Sequence, residues 1–398
     1  MATHQENPFR TAGTAVDAEH FTDRADEVAR VLKTLRQPGA KLLVTGPRRM
    51  GKTSVLRRAA ARLGETGRLV VMVDFSSAST LADMSTRLLQ AAETVLGTRR
   101  RSAFADVLRH VAVGVKITPD PATGLLSTSL SLEQRTAPID EQRQTLARVL
   151  DGLEAVAAAH KRPLGIIIDE FQEIYRFGGT DAEWHLRATI QHHQHLSYVL
   201  AGSREHLIRQ MLGKNRAFYQ LFERLAFGPI DAAHMATWID ARMRAHGVRS
   251  QGIGTRIVTL AGPRTRDIVE LARLCFDAAS PHREVRTADV GTALSIAIDE
   301  TGDDTLARWD DLPATQQNVL RAVAAGEKQL YGAEALARYG LPKSNAVAPA
   351  LVQLVKREWL VKAGRGYDFD SPFVRAWVIT HALPDVGISV KPSELLGT

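Results

Sequence analysis

The sequence predicts an α/β fold: a doubly wound parallel sheet, followed by a helical lid region and a C-terminal winged-helix unit. Three observations carry this. Short apolar runs at 41–45, 69–74, 164–169 and 196–201 alternate with stretches of helical period, the pattern of parallel strands covered on both faces. Strand patterns then vanish from 231 to 304, where only helical periodicity remains. From 313 to 383 the order is three helices, the run Leu360-Val361-Lys362-Ala363, a Gly364-Arg365-Gly366 turn, and Tyr367-Asp368-Phe369. The expected organisation is an arm at 1–20, a core at 21–230, a lid at 231–305, and a winged helix with tail at 306–398.

Each element has its own warrant. Val28, Val31, Leu32 and Leu35 recur at helical spacing, and Pro38-Gly39 stops that helix. Lys41 to Thr45 is a buried strand, followed by a glycine-rich turn and a helix over 52–63. Leu69 to Asp74 is the second strand, and Leu81, Met84, Leu88, Leu89, Ala92 and Val95 mark a helix over 80–96. Between 111 and 132, Val111, Val113, Val115 and Ile117 alternate, a Pro119 to Gly124 turn follows, and Leu126, Thr128, Leu130 and Leu132 alternate again. That is a hairpin inserted into the strand–helix order. Helices over 139–160 and 181–194 precede the strands at 164–169 and 196–201, and a fifth strand is expected over 225–229. In the last unit, helices are expected over 313–325, 332–339, 343–358 and 371–383.

The 398 residues are 44% hydrophobic, ample for two or three domains. No run reaches the roughly 18–20 apolar residues that a membrane span needs. The N-terminal residues lack the basic-then-apolar pattern of a signal peptide. One cysteine, Cys275, excludes an internal disulfide and fits a cytoplasmic setting. Its apolar helical neighbours make it a core residue. The net charge of +7 favours an anionic partner. The Arg99-Arg100-Arg101 run reads as a solvated loop. His185, His192, His193 and His195 read as exposed positions on a polar helix, with no cysteine or acid spaced to complete a zinc site.

The chemistry concentrates after the first strand. Gly46-Pro47-Arg48-Arg49-Met50-Gly51-Lys52-Thr53 fits G-x-x-x-x-G-K-[ST] between a strand and a helix. Residues Gly46 to Gly51 fold tightly, so that main-chain N–H groups point at phosphate oxygens. The helix start at Lys52, Thr53 and Ser54 adds its partial positive charge. Lys52 reaches the β- and γ-phosphates of ATP, and the Thr53 hydroxyl ligates Mg²⁺.

Asp169 and Glu170 end the apolar run Ile166-Ile167-Ile168. Asp169 would orient the Mg²⁺, and Glu170 would polarise the attacking water. Two adjacent acids point to hydrolysis rather than passive binding. Ser203 and Arg204, at the end of the 196–201 strand, are alternative sensors of the γ-phosphate. Arg224 either reaches a neighbouring subunit's ATP as a finger in an ATP-dependent homo-oligomer or pairs locally with an acid. Arg264 and Arg266 open a helix and either fold onto the γ-phosphate or lie on a plain capping turn.

Together these motifs resemble the archaeal-type P-loop ATPases of the AAA+/STAND group, over roughly residues 7–383. Asn7-Pro8-Phe9 and Phe21 to Glu27 are similar to that family's opening segment, which the resemblance places against the base of the nucleotide. Asp23 stands where the family usually has glycine. Gly46 to Thr53 resembles its Walker A motif, Ile166 to Glu170 its Walker B, Ala201 to Arg204 its sensor-1 end, and Gly262-Pro263-Arg264 its Gly-x-Pro lid motif. Arg204 is similar to the strand-end arginine of signalling STAND members. The C-terminal winged helix is also expected from this family.

Two roles follow as expectations. In one, the winged helix grips duplex DNA through Lys343, Ser344, Asn345, Lys356, Arg357, Lys362 and Arg365, and the hairpin with Lys116 adds basic surface. In the other, the winged helix docks a protein partner and holds the ADP-bound switch shut.

Overall fold

The structure is a computed structural model that describes residues 6–10, 20–96, 101–111, 115–119, 126–130, 136–161, 163–250, 252–279, 283–341, 344–364 and 366–387. The chain forms two compact units: residues 14–228, and residues 1–13 with 229–398.

The first unit is built on five parallel strands: β1 (Lys41–Thr45), β2 (Leu69–Asp74), β5 (Leu164–Asp169), β6 (Leu196–Gly202) and β7 (Glu223–Ala226). Their order across the sheet is β2-β5-β6-β1-β7. The chain therefore leaves β1 for a distant edge, returns through β5 and β6, and crosses β1 to finish at β7. Such a reversal beside β1 leaves a crevice at the carboxyl ends of the strands. Asp74 pairs in register with Asp169, and Thr45 with Gly202, so these four residues share that end of the sheet.

Alternation assigns each side chain to a face. Leu42, Val44, Ile167, Val199 and Ala201 pack with helices Ala25–Arg36 and Lys52–Glu65. Leu43, Val71, Val73, Ile166, Ile168, Tyr198 and Leu200 pack on the opposite face, with helices Leu81–Leu96, Arg101–Val111, Ile139–Ala159 and Glu173–Ile190.

The inserted hairpin is present: β3 (Val115–Pro119) runs antiparallel to β4 (Leu126–Leu130), with Val115 opposite Leu130. Residues 112–114, 120–125, 131 and 132 of the insertion lie outside the described residues, as do Arg99, Arg100, Lys343 and Arg365. Arg101 starts a helix rather than continuing a loop, and that helix's Ala103, Phe104, Val107 and Val111 are buried. The helix expected at 181–194 starts at Glu173 and breaks at Gly179, whose φ of 60° and ψ of −159° no helix contains. The fifth strand comes earlier than expected, so Arg224 lies within it.

The second unit begins with helices Ala232–Ala245, Ile253–Ala261, Thr265–Ala279, Thr287–Glu300 and Gly302–Asp310. The winged-helix order follows: helices Ala314–Ala324, Ala333–Arg338 and Ser344–Lys356, strands β8 (Leu360–Ala363) and β9 (Gly366–Phe369), and helix Pro372–Trp377. One continuous apolar core runs from Met235 through Trp309 to Leu383, across the expected boundary at 305. Trp309 meets both Trp359 and Trp377, with ring centroids 6.1 and 5.9 Å apart. Phe9 belongs to this core and packs edge-on against Trp238 and Phe276, while Asn7 donates to the Arg273 carbonyl. Cys275 is buried here, and burial pushes its thiol pKa up. No described helix is long and apolar enough to cross a membrane.

Candidate functional site

The glycine-rich loop joins β1 to the helix starting at Lys52, and its two glycines are required for different reasons. A Cβ on Gly46 would lie 2.5 Å from the Phe227 carbonyl oxygen and 2.7 Å from the Phe227 Cβ, so no side chain fits. Gly51 has open space around it but a φ of 89°, which L side chains avoid. Lys52 is buried, and its Nζ donates to the carbonyls of Gly46 at 2.8 Å and Pro47 at 2.6 Å. Burial lowers the Lys52 pKa, partly offset by the charges of Glu170 and Asp169.

The loop and the acid strand meet although β6 separates them in the sheet. Thr53 Oγ1 donates to Asp169 Oδ2 at 2.5 Å. Asp169 is buried, and its pKa is pushed up to about 6, first by burial and further by the nearby charges of Glu170 and Asp74, against the Thr53 hydrogen bond. A hydroxyl beside a buried carboxylate is a hard-oxygen donor pair. It fits Mg²⁺, which takes one or two protein oxygens and fills the rest of its shell from phosphates and water.

Glu170 holds a left-handed backbone conformation, φ 52°. Its Oε2 accepts from Ser203 Oγ at 2.8 Å and from Gln172 Nε2, and Arg48 Nε donates to the same Ser203 hydroxyl at 3.3 Å. Gln172 is fully buried and is seated over Gly202, where any Cβ would collide with its Oε1. A carboxylate held by two side chains, one of them braced by Arg48, beside a phosphate loop is arranged to orient one water molecule.

The expected arginines are distributed differently. Arg204 Nη1 lies 3.4 Å from the buried Glu173 carboxylate. Arg224 and Arg266 are exposed. Arg264 is buried and grips Asp370 with both Nη atoms, at 2.5 and 2.7 Å. A phosphate contact by Arg264 would require breaking that pair.

Of the four histidines, His192 and His195 are exposed as expected, and His193 is not. His193 is buried, with Nδ1 2.7 Å from the Tyr198 hydroxyl and Nε2 2.9 Å from Asp151, and His195 meets Glu154. Both lie after their helix ends at Ile190, which frees them to turn toward helix Ile139–Ala159. No cluster of three metal-ligating residues occurs among the described residues.

A family described as "ATPase domain predominantly from Archaea" matches residues 21–226, just over half of the chain. The chain belongs to this archaeal ATPase family. A second family, a probable winged helix domain, matches residues 306–380. Among solved structures, the ATPase resembles the Walker-type ATPase PABY2304 of Pyrococcus abyssi, with 18% identity and a TM-score of 0.63 over 92% of this chain and 98% of that one. It also resembles the ORC2 protein of Aeropyrum pernix in ADPNP–ADP complexes, with 13% identity and a TM-score of 0.58 over 99% of this chain and 98% of that one. At these identities the likeness shows the fold. None of the curated proteins compared with the ATPase matches it.

Sequence reasoning missed Gln172 and Asp74. An acid at a strand's carboxyl end marks Asp74 as it marks Asp169. Gln172 carries no signal beyond being the one amide beside two acids.

Proposed function

We propose that this chain binds ATP with Mg²⁺, hydrolyses it slowly, and works as a nucleotide-driven switch. The observation that carries the reading is the 2.5 Å contact between Thr53 and Asp169, with Lys52 and Glu170 at the same mouth of the sheet. Main-chain amides from Gly46 to Gly51 surround the phosphates, and the Lys52 ammonium exchanges its two carbonyl partners for phosphate oxygens. Thr53 and Asp169 would hold the Mg²⁺, which when bound would supply charge neutralisation at the phosphates. Glu170 draws a proton from water as its oxygen attacks the γ-phosphorus. The bond from the γ-phosphorus to the bridging oxygen breaks, and the products are ADP and inorganic phosphate.

The test is a pair of variants. Lys52→Ala should abolish binding of a fluorescent ATP analogue. Glu170→Gln should keep that binding and stop phosphate release. Turnover at the wild-type rate in Glu170→Gln would remove Glu170 from its role.

For the partner, one observation favours a protein over duplex DNA. Among the described residues, the outward positions of the Ser344–Lys356 helix are Asn345, Ala348, Pro349, Val352 and Gln353, with cations at Lys356 and the adjoining Arg357. Phosphate contacts need donors along such a face. A binding titration with a mixed-sequence duplex at low salt distinguishes the two: submicromolar affinity that falls steeply with salt would restore the DNA reading.

A further inference from the structure

Arg24 is buried, yet it has no part in the phosphate chemistry described above. It precedes helix Ala25–Arg36 in a left-handed conformation, φ 66°. Its Nη1 pairs with Glu27 at 2.7 Å. Its Nη2 donates to the Gly228 carbonyl at 2.6 Å and to the Met50 carbonyl at 3.4 Å. The guanidinium carbon lies 4.8 Å from the centre of the Phe227 ring.

These partners are not neighbours in sequence. Met50 belongs to the phosphate loop. Gly228 is the last residue of the nucleotide unit, and the chain enters the second unit at Pro229. The other end of the loop bears on the same spot: Phe227 N donates to the Thr45 carbonyl at 2.6 Å, and Phe227 backs onto Gly46. Both ends of the phosphate loop are therefore fastened to Phe227-Gly228, one by main chain and one by Arg24.

Burying a guanidinium costs free energy that its partners must offset, and an apolar side chain would fill the space without that cost. What the arginine adds is a rigid planar fork that holds two backbone segments and a carboxylate in one geometry.

We propose that Arg24 is a positioning residue that ties the phosphate loop to the exit strand, so that filling the loop with phosphates is felt at Gly228. The inference rests on the ATP-binding reading. The long contact, to Met50, is the one that loop closure changes first, and the short contact to Gly228 passes the change on.

The test is hydrogen–deuterium exchange on the full chain, with and without Mg²⁺ and a non-hydrolysable ATP analogue. Binding is measured in parallel by calorimetry. In the wild type, the loop peptide and a peptide spanning 224–232 should both slow their exchange. In Arg24→Lys and Arg24→Gln, the loop peptide should still respond, with affinity reduced no more than roughly tenfold, while the 224–232 response is lost. A purely structural role would lower stability and leave the two responses coupled.

A 224–232 response in the variants equal to wild type overturns the proposal. So does a wild type that binds nucleotide without any response there. A wild type that binds no nucleotide overturns the ATP reading, and this proposal with it. Should neither Arg24 variant fold, Glu27→Gln, which loosens the fork without emptying its site, gives the same comparison.

Discussion

Asp169→Asn should stabilise the nucleotide-free protein at neutral pH while removing its hydrolysis. The wild-type carboxyl group has a pKa near 6 in the fold against 3.8 when exposed, because burial penalises its charge. A group whose pKa is raised by folding is held more tightly as the acid in the native state. Its ionisation therefore costs nothing below pH 3.8, where both states are protonated. The cost grows as pH rises through the window up to about 6, and it is present in full above that. At about 1.4 kcal/mol per unit, the full cost is on the order of 3 kcal/mol. An isosteric amide avoids that cost but must itself be desolvated, so a gain of roughly 1–3 kcal/mol is expected. For a unit of this size that corresponds to a rise of about 3–8 °C in Tm. The assay is thermal unfolding without nucleotide, followed at pH 7.5 and at pH 4. The gain should be present at pH 7.5 and largely absent at pH 4. Adding Mg²⁺ and an ATP analogue should reverse the order, because only the ionised wild type offers the metal a charged ligand. An Asn variant no more stable than wild type at pH 7.5, or equally stabilised at both pH values, would refute the reasoning.

Other substitutions probe the rest of the site. Gln172→Ala frees one side of Glu170 and should lower kcat about tenfold or more with KM for ATP nearly unchanged, as steady-state kinetics would show; an unchanged kcat would remove Gln172 from the positioning of Glu170. Arg224 is exposed on the edge strand β7, so Arg224→Ala should leave the ATPase rate of dilute protein intact. Loss should emerge only when an assembled form turns over, and mixing the variant with Lys52→Ala protein, which supplies an intact Arg224 but no working site, should restore it.

Much of the fold was legible because its signals are local. The strands at 41–45, 69–74 and 164–169 fall where the apolar runs fall, since each run is short, is continuous in its middle and is closed by a polar residue, Thr45, Asp74 or Asp169. Helix Arg101–Val111 was not legible. Its buried face is only Ala103, Phe104, Val107 and Val111, and the β-branched alternation that starts at Val111 dominates the pattern. It fits because Gly152 lets its backbone approach helix Ile139–Ala159 closely.

The site divides in the same way. The phosphate loop is one continuous octapeptide, so its chemistry can be read directly. The company of Glu170 cannot, because Ser203 reaches it from the end of another strand, 33 positions away, and Arg48 braces Ser203 from the phosphate loop. The Arg264–Asp370 pair joins residues 106 positions apart, and no spacing rule foreshadows it. Gly262-Pro263-Arg264 matched a motif in sequence, but the charge of Arg264 is spent inside its own unit.

The single core beneath the helical lid and the winged helix means that the two cannot be treated as separable parts. Cutting the chain after Thr301 would strip the cover from Ile298 and leave Arg264 without its carboxylate, so the shortened product should be sticky rather than merely smaller. By the same token, whatever seizes the winged helix takes hold of the lid as well, because one apolar core serves both.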